Sequence, residues 1–150
     1  MRKLLITAVL AALPAAAIAD EMAEKTVEAR QGYYKLLGAN MHILAGMAKG
    51  DIAYDGARAQ TAADNLMTLT QYNLGHLYTP GTSSEDVKGS DALPKIWNDF
   101  AGVQEKGMAF VAAVEELNAM AGLDRASLGK AVQQVGGACK GCHDNYRAKD

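Results

Sequence analysis

The sequence predicts an all-α protein, folded as an up-down-up-down antiparallel four-helix bundle. Two observations carry that reading. No stretch shows the apolar/polar alternation of a strand, whereas long stretches repeat apolar residues at steps of three and four. Turn-forming residues then divide the chain into four such stretches, each about 20 to 28 residues long, with two short connections and one longer one, as an antiparallel bundle requires.

The 150-residue chain opens on a leader. Arg2 and Lys3 precede an apolar run from Leu4 to Ile18, closed by the small residues around Ala17-Ile18-Ala19, which is the pattern of a secretory signal cut before Asp20. Residues 1–19 are therefore read as a signal peptide and 20–150 as one domain. No other run approaches the roughly 18 apolar residues of a membrane span, so no membrane anchor is expected after cleavage. Export from a bacterium implies the periplasm. The formal net charge of −2 becomes more acidic once Arg2 and Lys3 are removed. An acidic surface without basic clusters argues against nucleic acid as a partner.

In the first helix Val27, Arg30, Tyr34, Leu37, Met41, Leu44 and Ala48 form one seam ending near Gly50. All suit a core except the arginine. The second helix is expected after Asp55, through Ala59, Ala62, Leu66, Leu69 and Asn73 to about Leu77, with Tyr72 and Tyr78 at its end and Thr79-Pro80-Gly81 stopping it. Residues 79–92, rich in Gly, Ser, Thr and Asp, form the longest loop.

The third helix is expected to be capped by Ser90 or Asp91, with Pro94 in its first turn, where a missing N–H is harmless. Ile96, Phe100, Val103, Gly107, Phe110, Val114, Leu117 and Ala121 make its seam, with Trp97 and Phe100 in the core. Gly102 and Gly107 each weaken a helix by about 1 kcal/mol relative to alanine, which marks them as places of close approach or of simple tolerance. After Gly122-Leu123-Asp124 the fourth helix runs from Leu128 to about Arg147, capped by Asp124 or Ser127. Its inward stripe is Leu128, Ala131 or Val132, Val135, Cys139 and Cys142.

The cysteines on that stripe belong to Cys139-Lys140-Gly141-Cys142-His143, the spacing of a c-type haem attachment site. Two thiols add across the two vinyl groups of a haem, and the adjoining imidazole binds its iron. In a helix these residues stand at i, i+3 and i+4, so one face presents all of them to one cofactor. A thioredoxin-like redox pair is the weaker reading, because no βαβ pattern surrounds the motif. A zinc site needs a further ligand from His42 or His76, although structural zinc ligands usually come as two separated pairs. Two cysteines so close together are no disulfide scaffold. The inward stripe sets the haem, one per chain and covalently attached, inside the bundle.

With Arg30-Gln31, the Ala48-Lys49-Gly50 turn, Tyr54-Asp55, the Pro94-x-Ile96-Trp97-x-Asp99 stretch and Tyr146-Arg147 added to the pentad, almost all of residues 20–150 resembles the cytochrome c′ family, four-helix class II c-type cytochromes with haem near the C-terminus. The resemblance implies His143 as the axial iron ligand and Cys139 and Cys142 as the haem thioethers. It puts Arg30 against a haem propionate, where a buried cation finds an anion, with Gln31 on the other propionate. An arginine whose head snorkels to water is the plainer alternative. Arg147 falls on the proximal side of the haem, one turn past His143, and is otherwise a cation at a helix C-terminus.

The resemblance also implies that Tyr34 stands in the distal pocket, at the position where low-spin relatives such as cytochrome c-556 carry a methionine ligand. Met41 and Met22 lie about two and more than three turns away at 1.5 Å per residue, too far to replace it. A neutral phenol is a poor iron ligand, so the iron is expected to be five-coordinate and high-spin, under an otherwise apolar pocket. Such a site binds nitric oxide and carbon monoxide and disfavours dioxygen and anions. Nitric oxide protection in the periplasm follows as the expected role, with binding rather than enzyme catalysis, since only Tyr34 offers a distal acid–base group. The alternative is an electron carrier between periplasmic redox proteins. The family also implies a homodimer through the first two helices, for which Ile43 and Leu36 are candidates. His42 and His76 are read as surface or seam residues.

Overall fold

The computed structural model describes residues 15–149; the leader expected over 1–19 lies, through residue 14, outside the described residues. Four long helices form the bundle: α1 (Ala15–Lys49), α2 (Gly56–Thr70), α4 (Phe100–Met120) and α5 (Arg125–Tyr146), with the single-turn α3 (Lys95–Asn98) ahead of α4. Helix α1 packs on α2 and α5, and α4 packs on α2 and α5, which closes the ring.

Each long helix starts or stops for a local reason. Gly50 ends α1 at φ +93°, a left-handed conformation that glycine adopts without strain. The free carbonyls of that end are taken up by Arg125, whose Nη2 donates to Lys49 O at 2.7 Å and whose Nε donates to Ala48 O at 3.2 Å. The first residue of α5 thereby fastens the last turn of α1. Asp55 caps α2 by accepting the Arg58 N–H at 2.9 Å, and Asp124 caps α5 by accepting the N–H groups of Ala126 and Ser127 at 2.8 and 3.0 Å.

The main core lies between the four helices and is built from fully buried Leu44, Met47, Leu66, Val114, Leu117 and Leu128, filled in by the small side chains of α2 and α5. Burying one such leucine contributes about 1.5–3 kcal/mol. A second, smaller core forms where α3 meets the end of α5: Ala92, Ile96 and Tyr146 are buried there, with Tyr78, Trp97, Val103 and Cys142 packed against them.

Three expectations need correction. Helix α2 stops at Thr70 rather than near Leu77: Gln71 closes it, and Gly75–Leu77 is a separate 3-10 turn, opened when the Asn73 side chain accepts the Gly75 N–H. The third helix is broken at Asp99, whose backbone leaves the helical region (φ −135°, ψ 54°) and whose carboxylate caps α4 by accepting the Gly102 N–H. The cause is tertiary. Asp99 also accepts the hydroxyl of buried Tyr146 at 2.7 Å, so α5 holds the break in place. Neither Ser90 nor Asp91 is a cap: Ser90 is buried beside Arg30, and Asp91 pairs with Arg147 at 3.1 Å.

The break also moves side chains. Ile96 stays buried, but the seam does not carry through Asp99, and Phe100, expected in the core, is 67% exposed while Trp97 is only partly buried. Gly102 is where a side chain has no room, because a Cβ there would collide with the Tyr146 hydroxyl and the Asp99 carboxylate; around Gly107 nothing stands close, and it is tolerated glycine. On α1 the buried tyrosine is Tyr33, not its neighbour Tyr34, and Met47 joins the core beside Leu44.

Candidate haem-binding site

Helix α5 brings the pentad to the bundle interior. Leu128, Ala131 and Val135 are completely buried along one face, and the same face continues to Cys139, which packs on the main core, and to Cys142, which packs in the second core. The two thiols thus stand one helical turn apart on the inward stripe. Burial pushes both thiols up from their ordinary value, with the neighbouring Cys142 adding to the effect at Cys139. Both are therefore held as reduced, protonated thiols before any attachment. His143 is exposed at the edge of this face. Desolvation first, then the Arg147 cation, lowers its pKa and keeps the imidazole neutral with a lone pair to give. Two protonated thiols and a neutral imidazole on one turn are the donor set that a c-type haem needs.

Arg147 lies one turn beyond His143. Its backbone N–H donates to His143 O at 3.2 Å and ends α5, and its guanidinium reaches Asp91. A short antiparallel bridge between Ala92 and Arg147, with Leu93 N–H donating to Tyr146 O and Ala148 N–H to Asp91 O, straps the long loop to the end of α5. A shallow hollow lined by His143, Asp144, Arg147, Ala148 and Lys149 lies on this side.

The other expected side chains converge from α1. Tyr34 is 43% exposed, and its hydroxyl lies 2.7 Å from the hydroxyl of Tyr78. Burial raises the pKa of both phenols, and for Tyr34 the neighbouring Tyr78 raises it further. Both remain neutral. Cys142 is close enough to contribute to both shifts, which sets the pair beside the cysteine-bearing face of α5.

Arg30 is buried, 4% exposed, and does not snorkel. Its Nη1 donates to Leu77 O (3.0 Å) and Thr82 Oγ1 (3.1 Å), and its Nη2 to Thr82 O (2.7 Å) and Ser90 Oγ (2.9 Å). The guanidinium also covers the Tyr78 ring at 4.9 Å. Gln31 behaves similarly: its amide donates to Gly89 O at 2.7 Å. Both residues expected at propionates hold the long loop, and only the Arg30 Nε–H and the second amide hydrogen of Gln31 are left for a carboxylate.

Sequence reasoning missed Tyr78, Thr82 and Ser90. Tyr78 was visible as an aromatic beyond α2, but its pairing with Tyr34 depends on how the loop folds back. His42 is exposed, and exposed His76 is tied to Tyr72 and Asn73 O, so neither joins the pentad. Among the described residues no three His, Cys, Asp or Glu side chains cluster as a metal site, which removes the zinc reading.

Comparison with known proteins agrees with this geometry. Residues 25–147 match the family model for cytochrome C′. A cytochrome c′ of Cereibacter sphaeroides is 50% identical over 149 residues, 99% of each chain. A solved cytochrome c′ from Rhodobacter sphaeroides superposes with a TM-score of 0.84 at 50% identity, over 85% of this chain and 98% of the other. A variant of the Alcaligenes xylosoxidans protein, solved as its nitric oxide complex, gives 0.74 at 33% identity, over 85% and 97%. With its attachment pentad on the inward face of the last helix of a four-helix bundle, this chain belongs to the cytochrome c′ family.

Proposed function

We propose that this protein is a periplasmic cytochrome that carries one covalent haem c on Cys139 and Cys142, with His143 as the sole axial protein ligand, and that it binds nitric oxide and carbon monoxide. The carrying observation is the side chain at the distal position. Tyr34, which the family resemblance puts there, is a neutral phenol hydrogen-bonded to Tyr78 and not a thioether. The haem supplies an iron with an open coordination position. The chain supplies the anchoring thiols, a neutral imidazole, and two phenols that do not ionise. Variants of one solved relative, that of Alcaligenes xylosoxidans, bound to nitric oxide and to carbon monoxide support the same ligands here. Protection against nitric oxide is the role that fits a binding protein without a distal acid–base pair; no catalytic step is assigned. Electron exchange with periplasmic redox proteins is the second role, favoured only if a sixth protein ligand closes the iron.

The experiment is the absorption spectrum of the ferrous holoprotein before and after carbon monoxide, then nitric oxide. A broad high-spin spectrum that sharpens with gas supports the proposal. A sharp low-spin spectrum unchanged by carbon monoxide refutes it in favour of electron transfer.

No helix among the described residues is long and apolar enough to cross a membrane. We also propose pairing of two bundles through α1 and α2, where Leu36 is 56% exposed and a shallow groove lined by Asn40, Ile43, Arg58 and Asn65 runs between the helices. One solved cytochrome c′, 31% identical, is described by its ligand-controlled dimer dissociation. Sedimentation of the holoprotein with Leu36→Glu tests the interface: a parent dimer that the variant converts to monomer supports it.

A further inference from the structure

The break at Asp99 and the end of α5 are built on each other. Tyr146, buried, donates its hydroxyl to the Asp99 carboxylate at 2.7 Å, and the same carboxylate accepts the Gly102 N–H. The Lys95 ammonium lies 5.1 Å from the centre of the Tyr146 ring, and the Tyr146 carbonyl accepts the Leu93 N–H at 3.0 Å. Residues 93–99 therefore grip Tyr146 at its ring, its hydroxyl and its carbonyl. Gly102 belongs to the same contact, because any Cβ there would collide with the hydroxyl.

What the grip fixes is the last turn of α5, which carries Cys142 and His143. Tyr146 packs in the second core with Cys142, and it stands three residues after His143, whose carbonyl accepts the Arg147 N–H at 3.2 Å. Metal-bound histidines are ordinarily oriented by a hydrogen bond at their second ring nitrogen. The His143 ring is exposed, and among the described residues no hydrogen bond orients it. Its direction is therefore inherited from the backbone of its own turn. Helix ends fray, and α5 ends at Tyr146 itself. We propose that Tyr146, held by Asp99, is a positioning residue for the axial imidazole: the hydroxyl–carboxylate bond sets the pose of the turn, and with it the direction in which His143 presents its lone pair. This deepens the five-coordinate reading and rests on it.

The test is resonance Raman spectroscopy of the ferrous holoprotein, which reads the iron–histidine stretching band of a five-coordinate haem. Tyr146→Phe keeps the buried ring and removes only the hydroxyl; Asp99→Ala removes the acceptor and leaves the tyrosine whole. Each should shift and broaden the band, as the turn samples more than one pose. Asp99→Asn keeps both a helix cap and a hydrogen-bonding partner for the hydroxyl, and its band should stay close to the parent's. Leu117→Ala destabilises the main core, which does not include Tyr146, and should leave the band in place. A band unchanged in both Tyr146→Phe and Asp99→Ala overturns the positioning role and leaves the five-coordinate reading standing. An equal shift in Leu117→Ala also overturns it, since general loosening would then suffice. A parent that lacks the band because its iron is six-coordinate overturns the five-coordinate reading, and the positioning role with it.

Discussion

Arg30→Met tests whether the inward arginine organises the loop. The substitution keeps a long apolar stem and deletes the donors to Leu77 O, Thr82 Oγ1, Thr82 O and Ser90 Oγ. These losses are unequal. Thr82 O keeps the Ser90 hydroxyl at 2.9 Å, whereas buried Leu77 loses the donor to its carbonyl. One orphaned buried acceptor costs about 1–3 kcal/mol, and the contact with the Tyr78 ring adds roughly 0.5–2 kcal/mol. Relief of the desolvated guanidinium offsets part of this, since burial itself lowers the Arg30 pKa. The net loss is about 1–4 kcal/mol, or roughly 3–15 °C in a chain of this size. The assay is far-UV thermal unfolding of the holoprotein together with amide hydrogen exchange over residues 79–92. Faster exchange at Thr82 and Ser90 with a lowered midpoint is expected. A midpoint and loop protection like the parent's, accompanied by a shifted haem reduction potential, would refute the loop role and return Arg30 to a propionate.

Other substitutions address the remaining links. Tyr34→Met should give a six-coordinate, low-spin cytochrome that resists carbon monoxide, read from its absorption spectrum. Leu117→Ala, at a fully buried core position, should lower stability by about 2–5 kcal/mol in chemical denaturation. On acidification, Asp99 and Asp124 should both report on stability. Hydrogen bonding, first from Tyr146 for Asp99 and first from Ser127 N–H for Asp124, holds their pKa values below the ordinary 3.8. Below that value the unfolded chain binds more protons, so their contribution is complete above pH 3.8 and is lost as pH falls through the depressed values. The thermal midpoint should therefore drop below pH 4, and Tyr146→Phe should shrink that drop.

The helices were legible because their signals are local. A capping aspartate, a glycine with positive φ and apolar residues every third or fourth place act within a few residues of each other, and the pentad needs only one turn of helix to be chemically meaningful. That is why α5, its Asp124 cap and the two inward cysteines appear where the sequence puts them. The break at Asp99 was hidden for the opposite reason. An Ile96-Trp97-x-x-Phe100 run reads as unbroken helix, and what interrupts it is the hydroxyl of Tyr146, 47 residues away in the chain.

The same distinction explains the distal side. Arg30 on an inward seam announces a need for partners but does not name them, since a buried guanidinium is satisfied by carbonyls and hydroxyls as well as by a carboxylate. The sequence places Thr82 and Ser90 in a polar stretch with no period, and polarity there reads as exposure. In the structure both are buried, because Arg30 gathers the loop around itself instead of leaving it to solvent. Tyr78 follows from that arrangement, carried to Tyr34 by the loop that Arg30 folds. The charge on α1 thus acts at a distance: it sets the loop, and the loop sets the second phenol against Tyr34.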